Sequence, residues 1–576
     1  MPVPLPTRCS RRPLASLCLL AGLAALGPGG VAAQGIGLPD AATLAAQRAE
    51  SGRDIPGSVF ALNPLRNHQE ATGPDGTTYR LTSVNPNVNS WFVVEITSPD
   101  ARPRSYHLEN ADPETMQISL GLDGDAPALF LDQDGFSIPC APWENGALAA
   151  AAETDLPFAP LCDWALFLRN PVRGNRTTRE AVSQFLRDNV VFGDQIVNLI
   201  KGAFFEDAFM VSSEGIETEA EISGVDLLGT ARLSQTPAMR PAMGFDLDGT
   251  DGGAMIAGSW YEVSDAPGIY ASVMQPGMIE RSVFEVPGAN GLDGVENRAD
   301  VYLVAFDMSR FDLGYELGTD HPALGWSPRP SGAGRHYQGP GPDGFDRPDP
   351  LVFNGMLSPA LYETVAATFT GGFKREHGAW RFGDYATFNW GNHYGFLSHG
   401  VTFSRLWPTL ATLYVLDDGT IDMRSWTEAD AATLGDRLVF ARQNGVPLIE
   451  NGVPGDRVTS WGGGNWSGSA EANLRTLRGG ACLRTVDGRQ FLIYAYFSAA
   501  TPSGMARTFQ AYHCDYAMLL DMNSQELTYM ALYTRESGDL ETRHLVRGMA
   551  EADPGGVPRF IAAPDNRDFF YLVRRD

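Results

Sequence analysis

Beyond its first thirty or so residues the sequence has no uncharged apolar run of the roughly 18–20 residues that a bilayer span requires, so no membrane-spanning helix is expected. Positive charge is scarce: 43 Lys and Arg stand against 69 Asp and Glu, a formal charge of −26. A surface of that sign repels phosphate backbones and anionic lipid, which argues against nucleic-acid or membrane-surface binding. Common catalytic signatures are missing too. There is no His-Glu-x-x-His zincin pattern, no Gly-x-Ser-x-Gly nucleophile turn and no Gly-x-x-x-x-Gly-Lys phosphate loop. No repeat of fixed period occurs.

What is present begins with an export signal. Arg8, Arg11 and Arg12 precede an apolar stretch from Leu14 to Leu26, and Val31-Ala32-Ala33 supplies small residues for cleavage before Gln34. Residues 1–33 are therefore expected to be removed, leaving a periplasmic or secreted bacterial protein. Two of the six cysteines, Cys9 and Cys18, leave with them. The other four fall into two local pairs, Cys140/Cys162 and Cys482/Cys514. In an oxidising compartment that count implies disulfides, and nearness in sequence selects these pairings. A four-thiolate zinc site lacks the usual Cys-x-x-Cys step.

The expected fold is β-rich α+β. Residues 34–75, rich in Ala, Gly, Pro and charge, form a loosely structured lead-in, and 76–280 a β-rich domain. In the latter, short alternating runs such as Trp91-Phe92-Val93-Val94-Glu95-Ile96 and Ala128-Leu129-Phe130-Leu131, divided by turn residues, indicate a β-sandwich. Thr177-Thr178-Arg179-Glu180, followed by apolar residues at helical spacing, marks a helix start. With a second amphipathic stretch at 195–209 it suggests a helical hairpin. After about Ser282 strands alternate with long Gly/Pro-rich loops, the most extreme at 325–350. Strands are expected at 300–306, 410–416, 491–497, 517–520 and 527–533, helices at 359–368 and 427–444, and mixed sheets throughout 281–576.

Phe245-Asp246-Leu247-Asp248-Gly249-Thr250 has the letters of a phosphatase nucleophile motif. Its setting is wrong: no apolar strand precedes it and no helix follows, so an Asp/Gly turn is expected. The twelfth position that a calcium loop fills with an acid is Ala257. His377, His393 and His399 lie in a loop-rich stretch with Asn389 and Asn392, where bonding to backbone is the expected role.

Val301–Asp307, Ala366-Ala367-Thr368-Phe369-Thr370-Gly371-Gly372-Phe373, Leu410–Gly419, Ala441–Gly452, Ser503-Gly504-Met505 and Ala517–Asp521, in that order across about 280–540, resemble successive segments of the phosphodiester glycosidase family. The family's Asn-Gly-Gly-Phe is here Thr370-Gly371-Gly372-Phe373, and its Asp-Gly-Gly-Gly-Ser is Asp521-Met522-Asn523-Ser524. The resemblance implies a phosphodiester-glycosidase-like domain over 281–576 that hydrolyses glycosyl phosphodiester or related glycan linkages. It implies catalytic roles for Asp521, Thr370, Asn523 and Ser524, with Gly371 and Gly372 at the substrate. The residues allow the same site: an acid at a strand end can act as acid, base or metal ligand, and Thr370 with two glycines can face an oxyanion. Arg478 or Arg507 would hold the phosphate, and Trp461 and Trp466 would stack on sugar faces. Involvement of a divalent metal is left open. The alternative is a non-catalytic glycan-binding or envelope-scaffold protein that keeps the fold.

Overall fold

The computed structural model describes residues 67–84, 88–154, 156–170, 172, 207–217, 222–319, 355–374, 395–399, 401–404, 406–460, 473–535, 538–553 and 556–575. The expected signal peptide, the helical hairpin at 177–209 up to residue 206, the loop 325–350, His377, His393, Asn389, Asn392, Trp461 and Trp466 lie outside them. Among the described residues no helix is long and apolar enough to cross a membrane.

The first third is a β-sandwich. Strands β1 (Asn67–Thr72), β2 (Thr78–Ser83), β3 (Trp91–Thr97), β4 (Arg104–Asn110), β8 (Phe158–Leu161) and β9 (Leu166–Arg169) form a sheet ordered β1-β2-β3-β4-β9-β8. It packs on a sheet of β5 (Gln117–Asp123), β6 (Ala126–Gln133) and β7 (Phe136–Cys140). Alternation dictates the core: Phe92, Val94, Leu108 and Leu168 meet Ile118, Leu129 and Leu131 between the sheets. On the opposite face Trp91 and Val93 join the main core of the molecule. Strand β1 begins inside the stretch expected to be a loose lead-in, and the Cys140–Cys162 disulfide, Cα atoms 5.9 Å apart, ties β7 to the turn before β9.

Three short strands, β10 (Gly215–Ile216), β11 (Ala238–Met239) and β12 (Met255–Ile256), lead into a central eight-stranded sheet. This sheet contains β13 (Tyr261–Glu262), β14 (Ile269–Met274), β15 (Val301–Asp307), β23 (Ile449–Glu450), β24 (Val453–Pro454), β25 (Thr476–Val486), β26 (Arg489–Ala500) and β27 (Tyr516–Met522), ordered β13-β14-β15-β26-β25-β27-β23-β24. It therefore takes in 261–274, upstream of residue 281. Its long strands are continuous apolar runs because both faces are covered. Tyr302, Val304 and Phe306 enter one core, and Val301, Leu303 and Ala305 the other.

Two five-stranded sheets close the first of these cores. One is β16 (Phe311–Glu316), β30 (Arg567–Arg574), β17 (Val365–Lys374), β28 (Met530–Thr534) and β29 (Glu541–His544), in that order. The other, in spatial order, is β19 (Val401–Ser404), β18 (Phe396–Ser398), β22 (Leu438–Gln443), β20 (Ala411–Leu416) and β21 (Ile421–Ser425). The second core is covered by a helix, Pro502–Ala511, whose ten residues are all buried and whose end is tied to β25 by Cys482–Cys514, Cα atoms 5.9 Å apart.

The fold is β-rich α+β as expected, but the pairings between these strands are antiparallel rather than mixed. Two expected helices are corrected. At 359–368 only a 3₁₀ turn forms, Pro359–Leu361, before the chain enters β17 between β30 and β28. At 427–444 a helix runs only from Glu428 to Leu434, behind a capping box of Thr427 and Asp430. A 3₁₀ turn at Gly435–Arg437 then hands the chain to β22.

Candidate functional site

The central sheet and the two five-stranded sheets meet where β17, β22, β27 and the start of β30 converge, and that junction holds buried charge. On β22 the odd-even alternation that sends Phe440 into the main core also sends Arg442 there. The Arg442 guanidinium donates through Nε to Asp568 Oδ2 and through Nη1 to the Gln443 carbonyl. Asp568 Oδ2 also accepts from the Tyr315 hydroxyl at 2.6 Å. Asn444 is fully buried and donates its side-chain amide to the Leu519 carbonyl of β27 at 2.7 Å.

Gly372 is needed here for space, and Gly371 is tightly packed. A Cβ on Gly372 would stand 2.6 Å from Arg442 Nη2 and 3.3 Å from Asn444 Nδ2, and one on Gly371 would stand 3.3 Å from Asp568 Oδ1. Opposite these glycines Asp568 Oδ1 and Asn444 Oδ1 are buried with no hydrogen-bond partner among the described residues. Such atoms are costly, because a buried acceptor without a donor loses its hydration uncompensated.

Asp521 reaches the same junction through a β-bulge. Arg478 pairs with Met522 and Gly480 with Leu519, so two steps along β25 oppose three along β27. The extra residue turns Met522 to the same side as Leu519, into the helix-covered core. Asp521 is thereby aimed at β30, where its Oδ2 accepts from Arg567 Nε at 3.1 Å while its Oδ1 accepts from the Met522 amide at 2.8 Å. Arg567 lies 3.8 Å from Asp565, whose other oxygen is 2.9 Å from Arg559 Nε, and all four side chains are almost wholly buried. Burial, then Tyr496, then the Asp521 charge push the Tyr494 hydroxyl well above its ordinary pKa.

The residues singled out from sequence divide accordingly. Thr370, Gly371 and Gly372 do lie beside β30, and Thr370 reaches the turn that follows 521–524: its hydroxyl donates to the Leu527 carbonyl at 2.7 Å, in the turn that Ser524 opens by accepting from the Leu527 and Thr528 amides through its carbonyl. Asn523 has a positive φ of 84° and donates its amide to the Leu477 carbonyl. The two arginines are occupied elsewhere. Arg478 donates to the carbonyls of Ala500 and Leu474 and to Met522 Sδ, and burial lowers its pKa. Arg507 staples the loop after residue 281 through the carbonyls of Val283, Val286 and Ala289. His399, at the edge of the Trp91 ring, pairs with Glu316 rather than with backbone. The Asp246–Thr250 stretch is a turn, as expected: Thr250 donates to the Leu247 carbonyl and Gly249 has φ 74°.

Sequence reasoning did not single out Arg442, Asn444, Asp565, Arg567 or Asp568. A signal existed for the first two, polar residues two apart continuing an apolar strand, and for the others in the polar run 565–568 before Phe569-Phe570. Among the described residues no group of three His, Cys, Asp or Glu side chains is placed to hold a metal ion.

These features define a β-rich protein with a buried Arg/Asp/Asn cluster where its sheets join. No protein-family model matches the chain, and no curated protein does. Among solved structures it is similar to the zebrafish N-acetylglucosamine-1-phosphodiester alpha-N-acetylglucosaminidase catalytic domain auto-inhibited by its pro-peptide. The identity is 10% and the TM-score 0.29, covering 54% of this chain and 85% of that one.

Proposed function

We propose that the chain is an exported hydrolase of glycosyl phosphodiester or related glycan linkages, with its reacting groups around Gly371 and Gly372. What supports this most is the pair of buried oxygens without a hydrogen-bond partner among the described residues, Asp568 Oδ1 and Asn444 Oδ1, set with Arg442 near backbone that carries no side chain. Arg442 is the cation for the phosphodiester oxygens, Asn444 meets a sugar hydroxyl, and Asp568 serves as the acid or base. Thr370 and the Asp521–Arg567 pair hold β17, β27 and β30 in register around them. The two disulfides accord with an oxidising compartment.

A second reading, a glycan-binding or scaffold protein without turnover, draws on the Thr370 hydroxyl being spent on backbone carbonyls and on Asp521 being ion-paired. The test is a screen of the mature protein against sugar-1-phosphodiesters, with and without divalent metal, beside Asp568→Asn. Turnover that falls at least ~100-fold in the variant is the expected result. Turnover untouched by Asp568→Asn refutes the site, and binding without turnover in every arm selects the second reading.

A further inference from the structure

Far from that cluster in sequence, the β-sandwich carries a concave face that its own packing does not explain. A cavity of about 760 Å³ lies between the β6–β7 hairpin, the loop after β4 and the Cys162–Ala165 turn. Its size is that of an ordinary small-ligand site. Phe136 and Ile138, two apart on the edge strand β7 and so on one face of it, line the cavity while 74% and 61% exposed. Leaving two large apolar side chains in water forgoes their burial energy, and a contiguous exposed apolar surface marks a binding face.

The opposite wall is built rigidly. Cys162, Asp163 and Trp164 all have positive φ, at 51°, 55° and 71°, a conformation that costs each of these non-glycine residues. The Cys140–Cys162 disulfide holds the first of them, and the Trp164 ring packs edge-on to Phe167 at 6.1 Å. The strained turn thus presents a half-buried indole and the exposed Asp163 carboxylate to the cavity.

The polar groups select the ligand. Asp112 is engaged by Thr115 and by the Gln133 amide nitrogen at 2.9 Å. That leaves the Gln133 oxygen and the Asp134 and Asp163 carboxylates as acceptors for hydroxyl donors. Among the described residues no Lys, Arg or His lines the cavity. An anionic ligand is therefore repelled, and a cation would meet only exposed carboxylates, whose pairing is worth little in water. A ligand with flat C–H faces for Trp164 and Phe136 and hydroxyls at its edges fits both halves.

We propose that this face of the sandwich binds a neutral saccharide chain, with its apolar ring faces on Trp164 and Phe136 and its hydroxyls on Asp163 and Gln133. This site is independent of any hydrolysis at the Arg442–Asp568 cluster.

The test is calorimetric titration of the full mature protein with tetrasaccharides. Three are neutral, of N-acetylglucosamine, β-1,4-glucose and α-1,4-glucose, and two are charged, of glucosamine and galacturonate. At least one neutral tetrasaccharide is expected to bind and galacturonate not to. Phe136→Ala and Asp163→Asn, both at exposed positions, are each expected to weaken that binding ~10-fold or more with an unchanged melting temperature. Failure of all three neutral probes, binding by a charged tetrasaccharide alone, or wild-type affinity in both variants overturns the proposal.

Discussion

Asp521→Asn separates the two roles an acid at this position can have. The Asp521 and Arg567 side chains are 3% and 5% exposed and 3.1 Å apart. Removing one partner of such a pair leaves a buried, uncompensated charge, at a cost of about 3–5 kcal/mol. Asparagine keeps the shape and an oxygen for the Met522 amide, and Asp565 stands 3.8 Å from Arg567. The lower end, about 3 kcal/mol, is therefore expected, which for a chain of this length lowers the melting temperature by only about 2–3 °C. Arg567→Met alone is expected to cost at least as much, because it strands the carboxylate. The double variant removes both charges and should recover half or more of the summed loss, a coupling of at least ~3 kcal/mol. Urea unfolding followed by tryptophan fluorescence at pH 7 measures all three. An Asp521→Asn variant within ~0.5 kcal/mol of wild type refutes the reasoning.

Gly372→Ala forces a methyl toward Arg442 Nη2 and should cost about 1–3 kcal/mol by overpacking, read in the same unfolding experiment. Each disulfide closes a loop worth ~3–4 kcal/mol in the chain-entropy model, but Cys482 and Cys514 are buried whereas Cys140 and Cys162 are partly exposed. Mild reductant followed by alkylation and peptide mapping should open Cys140–Cys162 first. Burial works against the charge on His399, yet the Glu316 carboxylate 3.1 Å away, through its charge and hydrogen bond, holds the pKa above its ordinary value. The stabilisation is therefore complete below pH ~6.5 and lost as pH rises through the raised folded value. Melting curves from pH 5.5 to 9 should show that loss in wild type and not in Glu316→Gln. A chain beginning at residue 281 lacks β14, the neighbour of β15, and β13 beyond it, and should give less soluble protein than the chain from residue 34 expressed beside it.

The central sheet was legible because its strands are unusual in one respect. Val301–Phe306 and Phe491–Phe497 are apolar at consecutive positions, which only a strand covered on both faces tolerates. The helix Pro502–Ala511 was hidden differently: its apolar stripe, Met505, Ala506 and Phe509, is short and diluted by Ser503, Gly504, Arg507, Thr508 and Gln510, which are buried as well, and beyond it only Thr501 followed by Pro502 announces the start. The two helices read too long failed in the opposite way. Pro359–Thr368 is rich in good helix formers, but its second half lies between β30 and β28, and sheet hydrogen bonding overrides propensity there.

The site was harder to read because buried charge chooses partners far away along the chain. Arg442 finds Asp568 and Asp521 finds Arg567, whereas Arg478 and Arg507, indistinguishable from them in sequence, are consumed by backbone carbonyls. Strict alternation along β27 would set Asp521 beside Ala517 and Leu519, in the helix-covered core, and aim Met522 at β30. The observed register of two residues against three reverses that choice. A single extra residue therefore decides which face of the central sheet carries the acid. That residue leaves no mark in the sequence Leu519-Leu520-Asp521-Met522, since any of these side chains is tolerated at a bulge whose cause is the pairing with β25.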